Sequence, residues 1–241
     1  MFTVSANTSQ DASQHALRPR CVHTITDRFS MSNTYLIADD RLLVVDPGSE
    51  LNVRLLTHYV RHLLHRSPAD IDLIVLTNMH QDHTYGIETL RHVCTAPVAA
   101  SSAALTMTQT TQQPVMPKML YTLPSRADMT PPLYIQQAAF VDIWLQDVGG
   151  LPLHPDWRVI ASAGHTPESL CLYNPFTSEL LSGDTIITVD NGRPLLRRGT
   201  NRHQLDETLR VLRSLPVHYL YPGHGRQVVG ETPLAHVQLE W

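Results

Sequence analysis

The sequence predicts an α/β protein built on a mixed sheet. Three observations carry that expectation. Short apolar runs of strand type recur along the chain, each stopped by Gly, Pro or an acidic turn: residues 42–45 before Asp46-Pro47-Gly48, 71–77 before Asn78, and 179–182 before Gly183. Residues 50–66 and 202–215 instead carry apolar side chains at helical spacing. The two kinds of segment follow one another as strand, helix, strand, the order that parallel pairing needs.

Residues 1–20 are rich in Ser, Gln, Asn and Thr and read as a flexible tail, without the basic region and apolar core of a signal peptide. Residues 21–26 and 32–38 alternate like strands, and Asp39-Asp40 turns the second into 42–45 as an antiparallel hairpin. The helix over 50–66 sets Leu51, Leu55, Tyr59 and Leu63 on one face. His58, His62 and His65 share that spacing, but no loop mouth or carboxylate accompanies them, so they read as a solvent-facing stripe.

A buried-type strand over 71–77 precedes a short helix over 84–93 and a strand over 96–100. Residues 105–153 change character. Pro114, Pro117, Pro124, Pro131 and Pro132 interrupt a stretch that also holds Met107, Met116, Met119 and Met129. Residues 133–145 have the pattern of an amphipathic helix. This insertion reads as a lid over a site or as a peripheral excursion. Strand patterns resume at 157–160, 170–173, 179–182 and 217–221. Residues 21–241 thus read as one domain with an insertion at 105–153.

With 241 residues, 42 % of them apolar and 17 % charged, the chain has the make-up of a soluble globular protein. A formal charge of −4 gives no reason to expect a nucleic acid or an anionic membrane surface as partner. No apolar run is long enough to span a bilayer. Cys21, Cys94 and Cys171 are odd in number and widely spaced. That argues against a disulfide framework and for the reducing cytoplasm.

The chemistry concentrates where strands end. His80, Asp82 and His83 fall within four positions after the strand over 71–77, preceded by Asn78. His165 lies in Gly164-His165-Thr166-Pro167, Asp184 in Gly183-Asp184-Thr185, and His224 in Pro222-Gly223-His224-Gly225. Imidazole nitrogens and carboxylate oxygens are the usual ligands of zinc and similar ions. The neighbouring glycines let the backbone turn tightly and bring these side chains inward.

In this order the motifs resemble the metallo-β-lactamase superfamily, whose signature is HxHxDH followed by a distant His, an Asp or Cys, and a final His. The resemblance runs from about residue 22 to 229, and Asp46-Pro47-Gly48 is similar to the family's D-x-G turn. It implies an αββα sandwich of two mixed β-sheets flanked by helices. It also implies one or two ions, zinc most often, with iron or manganese as the other choices. Carried over by position, Asn78, His80 and His165 surround a first ion, Asp82, His83 and His224 a second, and Asp184 bridges them. Asn78 stands where the family has its first His. Amide oxygen is the poorer zinc ligand, so the first position is expected to hold metal weakly. Tyr85 would sit near the ions. Glu168, where the family usually has Gly, is expected to be exposed.

The resemblance implies a hydrolase in which a metal-activated water attacks a small ester, lactone, thioester or amide, with Asp82 and Asp184 orienting the water or taking its proton. No Ser or Cys sits in a nucleophile-elbow context. Two further readings stay open: a mono-iron oxidoreductase of the same fold, similar to the sulfur dioxygenases, and a non-catalytic binder of a small molecule. The partner expected is a small-molecule substrate; the sequence does not speak to oligomeric state.

Overall fold

Two six-stranded sheets lie face to face, and helices cover their outer sides. The computed structural model describes residues 21–26, 32–108, 139–189 and 192–239. The expected tail over 1–20, and the part of the insertion over 109–138, lie outside the described residues.

The first sheet comprises β1 (Val22–Thr26), β2 (Asn33–Ala38), β3 (Leu42–Val45), β4 (Ile71–Val75), β5 (Val98–Ser101) and β6 (Ile143–Leu145), side by side in that order. Its first three strands pair antiparallel, as the acidic turn predicts, and β3 to β6 pair parallel. The crossovers run through α1 (Glu50–His62), the short helices α2 (Gln81–Thr84) and α3 (Ile87–Arg91), and the segment after α4 (Ala103–Thr108). The second sheet holds β7 (Val148–Leu151), β8 (His154–Ala161), β9 (Leu170–Asn174), β10 (Glu179–Gly183), β13 (Tyr219–Pro222) and β14 (Val228–Val229), ordered β14-β13-β10-β9-β8-β7. Only the β10–β13 pair is parallel, and α5 (Arg202–Arg213) makes its crossover. Between β10 and α5 the chain forms a hairpin of β11 (Ile186–Val189) and β12 (Arg193–Leu196), to which β15 (Gln238–Leu239) adds in parallel.

Strand alternation explains the layers. Leu73 and Val75 of β4 face the other sheet, packed with Tyr35, Leu43, Val45, Trp157, Leu172 and Leu181. Ile74, between them, points the other way and joins Val44, Val53, Leu56, Ile87 and Leu90 under the helices. On the far side, Cys171, Leu180 and Leu220 meet Leu205, Leu209 and Leu212 of α5. A strand buried on both faces has no polar side to display, which is why β3 and β4 read as continuous apolar runs. Among the described residues no helix is long and apolar enough to cross a membrane.

Three expectations change. The buried face of α1 is Asn52, Val53, Leu56 and Val60, whereas Leu51, Leu55 and Leu63 are 38, 42 and 61 % exposed. Asn52 hides this register in the sequence, because its buried amide donates to Thr34 Oγ1 at 2.8 Å and to the Ser32 carbonyl at 3.2 Å. His58, His62 and His65 are exposed, as read. The amphipathic helix expected over 133–145 is, where described, a strand: β6 pairs with β5, and the Asp142 carboxylate accepts from Val98 N at 2.9 Å. A free parallel edge overrode the local helical pattern. The helix expected over 84–93 is two short helices, α2 and α3, the second starting at Gly86. Gly86 has no room for a side chain, since a Cβ there would lie 2.6 Å from Val53 Cγ2.

No disulfide joins Cys21, Cys94 and Cys171. Cys171 is fully buried, and burial pushes its thiol up to about 11; burial raises Cys94 as well. Iodoacetamide at pH 8 should therefore leave Cys94 and Cys171 unlabelled in native protein and label all three after denaturation, read by mass spectrometry.

Candidate metal centre

Every sequence-predicted ligand lies at one edge of the sandwich, just beyond the end of a strand. The chain leaves β4, passes Asn78 and His80, and enters α2, which carries Asp82 and His83. His165 comes from the β8–β9 connection, Asp184 follows β10, and His224 follows β13. Two glycines make this convergence possible. Gly183 adopts φ +50°, and a Cβ there would fall 2.4 Å from Thr77 Oγ1. A Cβ on Gly223 would lie 2.7 Å from Asp184 Oδ1, inside the site itself.

The donor atoms form two clusters, His80 with His165 and Asp184, and Asp82 with His83 and His224. In the first, His165 Nε2 lies 3.3 Å from both His80 Nδ1 and Asp184 Oδ2, and His80 Nδ1 is 3.6 Å from that same oxygen. In the second, His224 Nε2 is 3.0 Å from Asp82 Oδ2, and His83 Nε2 and His224 Nε2 are each 3.2 Å from Asp184 Oδ1. Tetrahedral zinc ligands at about 2.1 Å stand about 3.4 Å apart, so these spacings suit an ion. Among the described residues, buried His83 Nε2, His224 Nε2 and both oxygens of Asp184 have no hydrogen bond, although Arg197 Nη1 lies 3.0 Å from Asp184 Oδ2. Such groups are expensive to bury unless something binds them. The donor set and its orphaned atoms both fit a divalent cation.

The electrostatics point the same way. Burial opposes charge on Asp184, yet Arg197, His83 and His224 hold its carboxyl well below the usual range. Asp82 is likewise held below it, against burial, chiefly by His83 and His224. His83 and His224 shift upward despite burial, both under the charge of Asp184, with Asp46 and Asp82 also acting on His83. In the absence of an ion these carboxylates hold protons on the imidazoles, in the same place where an ion would neutralise them.

Backbone and outer side chains aim the rings. Asp46, buried and at φ +53°, puts Oδ2 2.8 Å from His83 Nδ1, leaving Nε2 for the site. It also accepts from Thr77 N at 2.8 Å and Thr77 Oγ1 at 2.6 Å. The Arg198 carbonyl, 2.8 Å from His165 Nδ1, does the same for that ring. Asn33 Nδ2 and Tyr35 OH both donate to the Pro222 carbonyl, at 2.8 and 2.6 Å, tying β2 to the strand end that carries His224.

Asn78 is brought to the site, but its side-chain oxygen accepts from His80 N at 2.8 Å, while its buried Nδ2 has no hydrogen-bond partner among the described residues. An amide nitrogen cannot ligate a cation. Glu168 is not exposed as expected. It is 2 % exposed, and Oε1 accepts from Met79 N at 3.3 Å, because the turn after His165 folds back under the loop that carries Asn78 and His80. Tyr85 is 46 % exposed, and its hydroxyl makes no hydrogen bond among the described residues. Two functional residues went unread. Asp46 was legible only as a turn, although an Asp before Pro-Gly at a strand end was a signal for an inward carboxylate. Arg197, with Nη1 3.0 Å from Asp184 Oδ2, sits in a hairpin with no motif.

The profile of the Metallo-beta-lactamase superfamily matches residues 27–224. The chain belongs to that superfamily. This metallo-β-lactamase-superfamily protein is 25 % identical over 197 residues to a probable metallo-hydrolase of Methanocaldococcus jannaschii, covering 80 % of this chain and 87 % of the relative. It is 26 % identical over 177 residues to the hydroxyacylglutathione hydrolase of Idiomarina loihiensis. That alignment covers 73 % of this chain but only about half, 53 %, of the enzyme. Among solved structures, TTHA1623 in a di-iron-bound form superposes with a TM-score of 0.58 at 23 % identity, covering 86 % of this chain and 94 % of that one. The αββα sandwich is thus the fold of this superfamily member.

Proposed function

We propose that the protein is a zinc-dependent cytoplasmic hydrolase acting on a small ester, lactone, thioester or amide. The observation that carries this reading is the convergence of the Asp82, His83, His224 and Asp184 donor atoms at one sheet edge, where His83 Nε2, His224 Nε2 and Asp184 Oδ1 are buried without a hydrogen bond among the described residues. Asp82, His83, His224 and Asp184 would hold the ion. A bound zinc supplies a Lewis acid that brings the pKa of a water from about 15.7 towards 7. Asp82, about one-third exposed at its side chain, and Asp184 would orient such a water or take its proton, besides ligating. Asp46 and the Arg198 carbonyl fix the tautomers of His83 and His165. The names of two relatives, a metallo-hydrolase and a hydroxyacylglutathione hydrolase, support hydrolysis and put acyl thioesters on the panel.

The test is elemental analysis of protein purified without added metal, with a panel of esters, lactones, acyl-glutathione thioesters and amides assayed before and after chelation. Bound zinc and chelator-sensitive turnover of at least one class are expected. Hydrolysis that survives complete metal removal would sink the reading. The two histidines and one carboxylate of the Asp82, His83 and His224 cluster also favour a second reading, a mono-iron oxidoreductase. Iron near one equivalent with oxygen uptake would establish that reading instead.

A further inference from the structure

The two halves of the centre are unequal in charge. The Asp82, His83 and His224 cluster faces Asp184 Oδ1, so an ion there meets two carboxylates and two imidazoles. The His80 and His165 cluster has only Asp184 Oδ2, and that oxygen already has the Arg197 guanidinium 3.0 Å away. The Arg197 side chain is 20 % exposed and Asp184 is fully buried, so water screens this pair little. An ion ligated by Oδ2 at about 2.1 Å would stand within about 5 Å of the guanidinium. Asn78, where a third imidazole is expected, has its oxygen engaged by His80 N.

We propose that Arg197 is the fixed cation of the first position: it takes the electrostatic place of a first metal ion and makes this a one-ion centre, with the ion at Asp82, His83, His224 and Asp184. The assignment rests on the metal-dependent reading above. Two features exclude the first ion, a missing imidazole and a resident positive charge. Restoring the imidazole alone leaves the charge in place. Removing the charge alone leaves two imidazoles and one carboxylate, a weak site.

The experiment measures zinc stoichiometry by elemental analysis after gel filtration, and the second equivalent by calorimetric titration. Wild type, Asn78→His, Arg197→Lys, Arg197→Met and the Asn78→His/Arg197→Met double variant are compared, with circular dichroism as the control for folding. Wild type, Asn78→His and Arg197→Lys should each retain one zinc. Arg197→Met should retain one and bind a second roughly tenfold or more tighter than wild type does. The double variant should retain two. Two ions retained by wild type or by Asn78→His, or an unchanged second affinity in a folded Arg197→Met, would overturn the assignment of Arg197 while leaving a metal-dependent hydrolase standing. Wild type that binds no ion would overturn both.

Discussion

Asp184→Asn should abolish retained metal and lower hydrolysis by about 10³-fold or more, because the ion's contribution to activating water is lost with it. Asp184 supplies an oxygen to each cluster and faces His83, His165, His224 and Arg197 at once. The amide keeps the shape and removes the charge. The same variant should reshape the pH dependence of stability in metal-free protein. The Asp184 and Asp82 carboxyls are depressed, so their contribution is present above the unfolded value of about 3.9 and fades as pH falls through their folded values. His83 and His224 are raised, so theirs is present below about 6.5 and fades as pH rises through their folded values. Metal-free wild type should be most stable between roughly pH 4 and 6.5, with the stability maximum flattened in Asp184→Asn. Urea titrations across pH read this directly; identical profiles would contradict the ion-pair account.

Asp46→Ala should destabilise the protein by about 3–5 kcal/mol, the usual cost of removing one partner from a buried charged network. It strands Thr77 N, Thr77 Oγ1 and His83 Nδ1 together. In a chain of this size that lowers Tm by roughly 10 °C. Asp46→Asn separates stability from metal affinity. Its amide can still satisfy Thr77, but an NH2 facing His83 Nδ1 makes that nitrogen an acceptor and moves the ring proton to Nε2, the donor atom. The expected outcome is near-native Tm with metal affinity reduced about 10–100-fold. Calorimetry and a thermal melt on the same preparation distinguish the two effects. An Asp46→Asn protein with wild-type affinity would mean Asp46 serves only to hold Thr77.

What could be read in advance follows from how local each feature is. β3 and β4 announce themselves because strands buried on both faces cannot hide their composition, and His80, Asp82, His83, His165, Asp184 and His224 because each lies in a short polar motif within eight positions of a strand end. The face of α1 could not be read, since Asn52 finds its partners at Ser32 and Thr34, 20 and 18 positions back. β6 exists only because β5 offers an edge, a fact of the assembled sheet. Arg197 meets the site at Asp184, and nothing adjacent in sequence marks it. Glu168 breaks the rule that carboxylates face water, and its burial depends on Met79 N across the turn.

The bonds from Asn33 to the Pro222 and Gly225 carbonyls join positions 189 and 192 apart along the chain. They set the strand end that presents His224 against the first sheet. During synthesis, His80, Asp82, His83, His165 and Asp184 all leave the ribosome before His224 does. A nascent chain stopped short of residue 222 therefore lacks a donor of the two-carboxylate cluster and both carbonyls that anchor it. On the metal-dependent reading, tight capture of an ion thus waits for the segment through residue 225, and fragments ending upstream should neither compete for the metal nor carry it off when they are degraded.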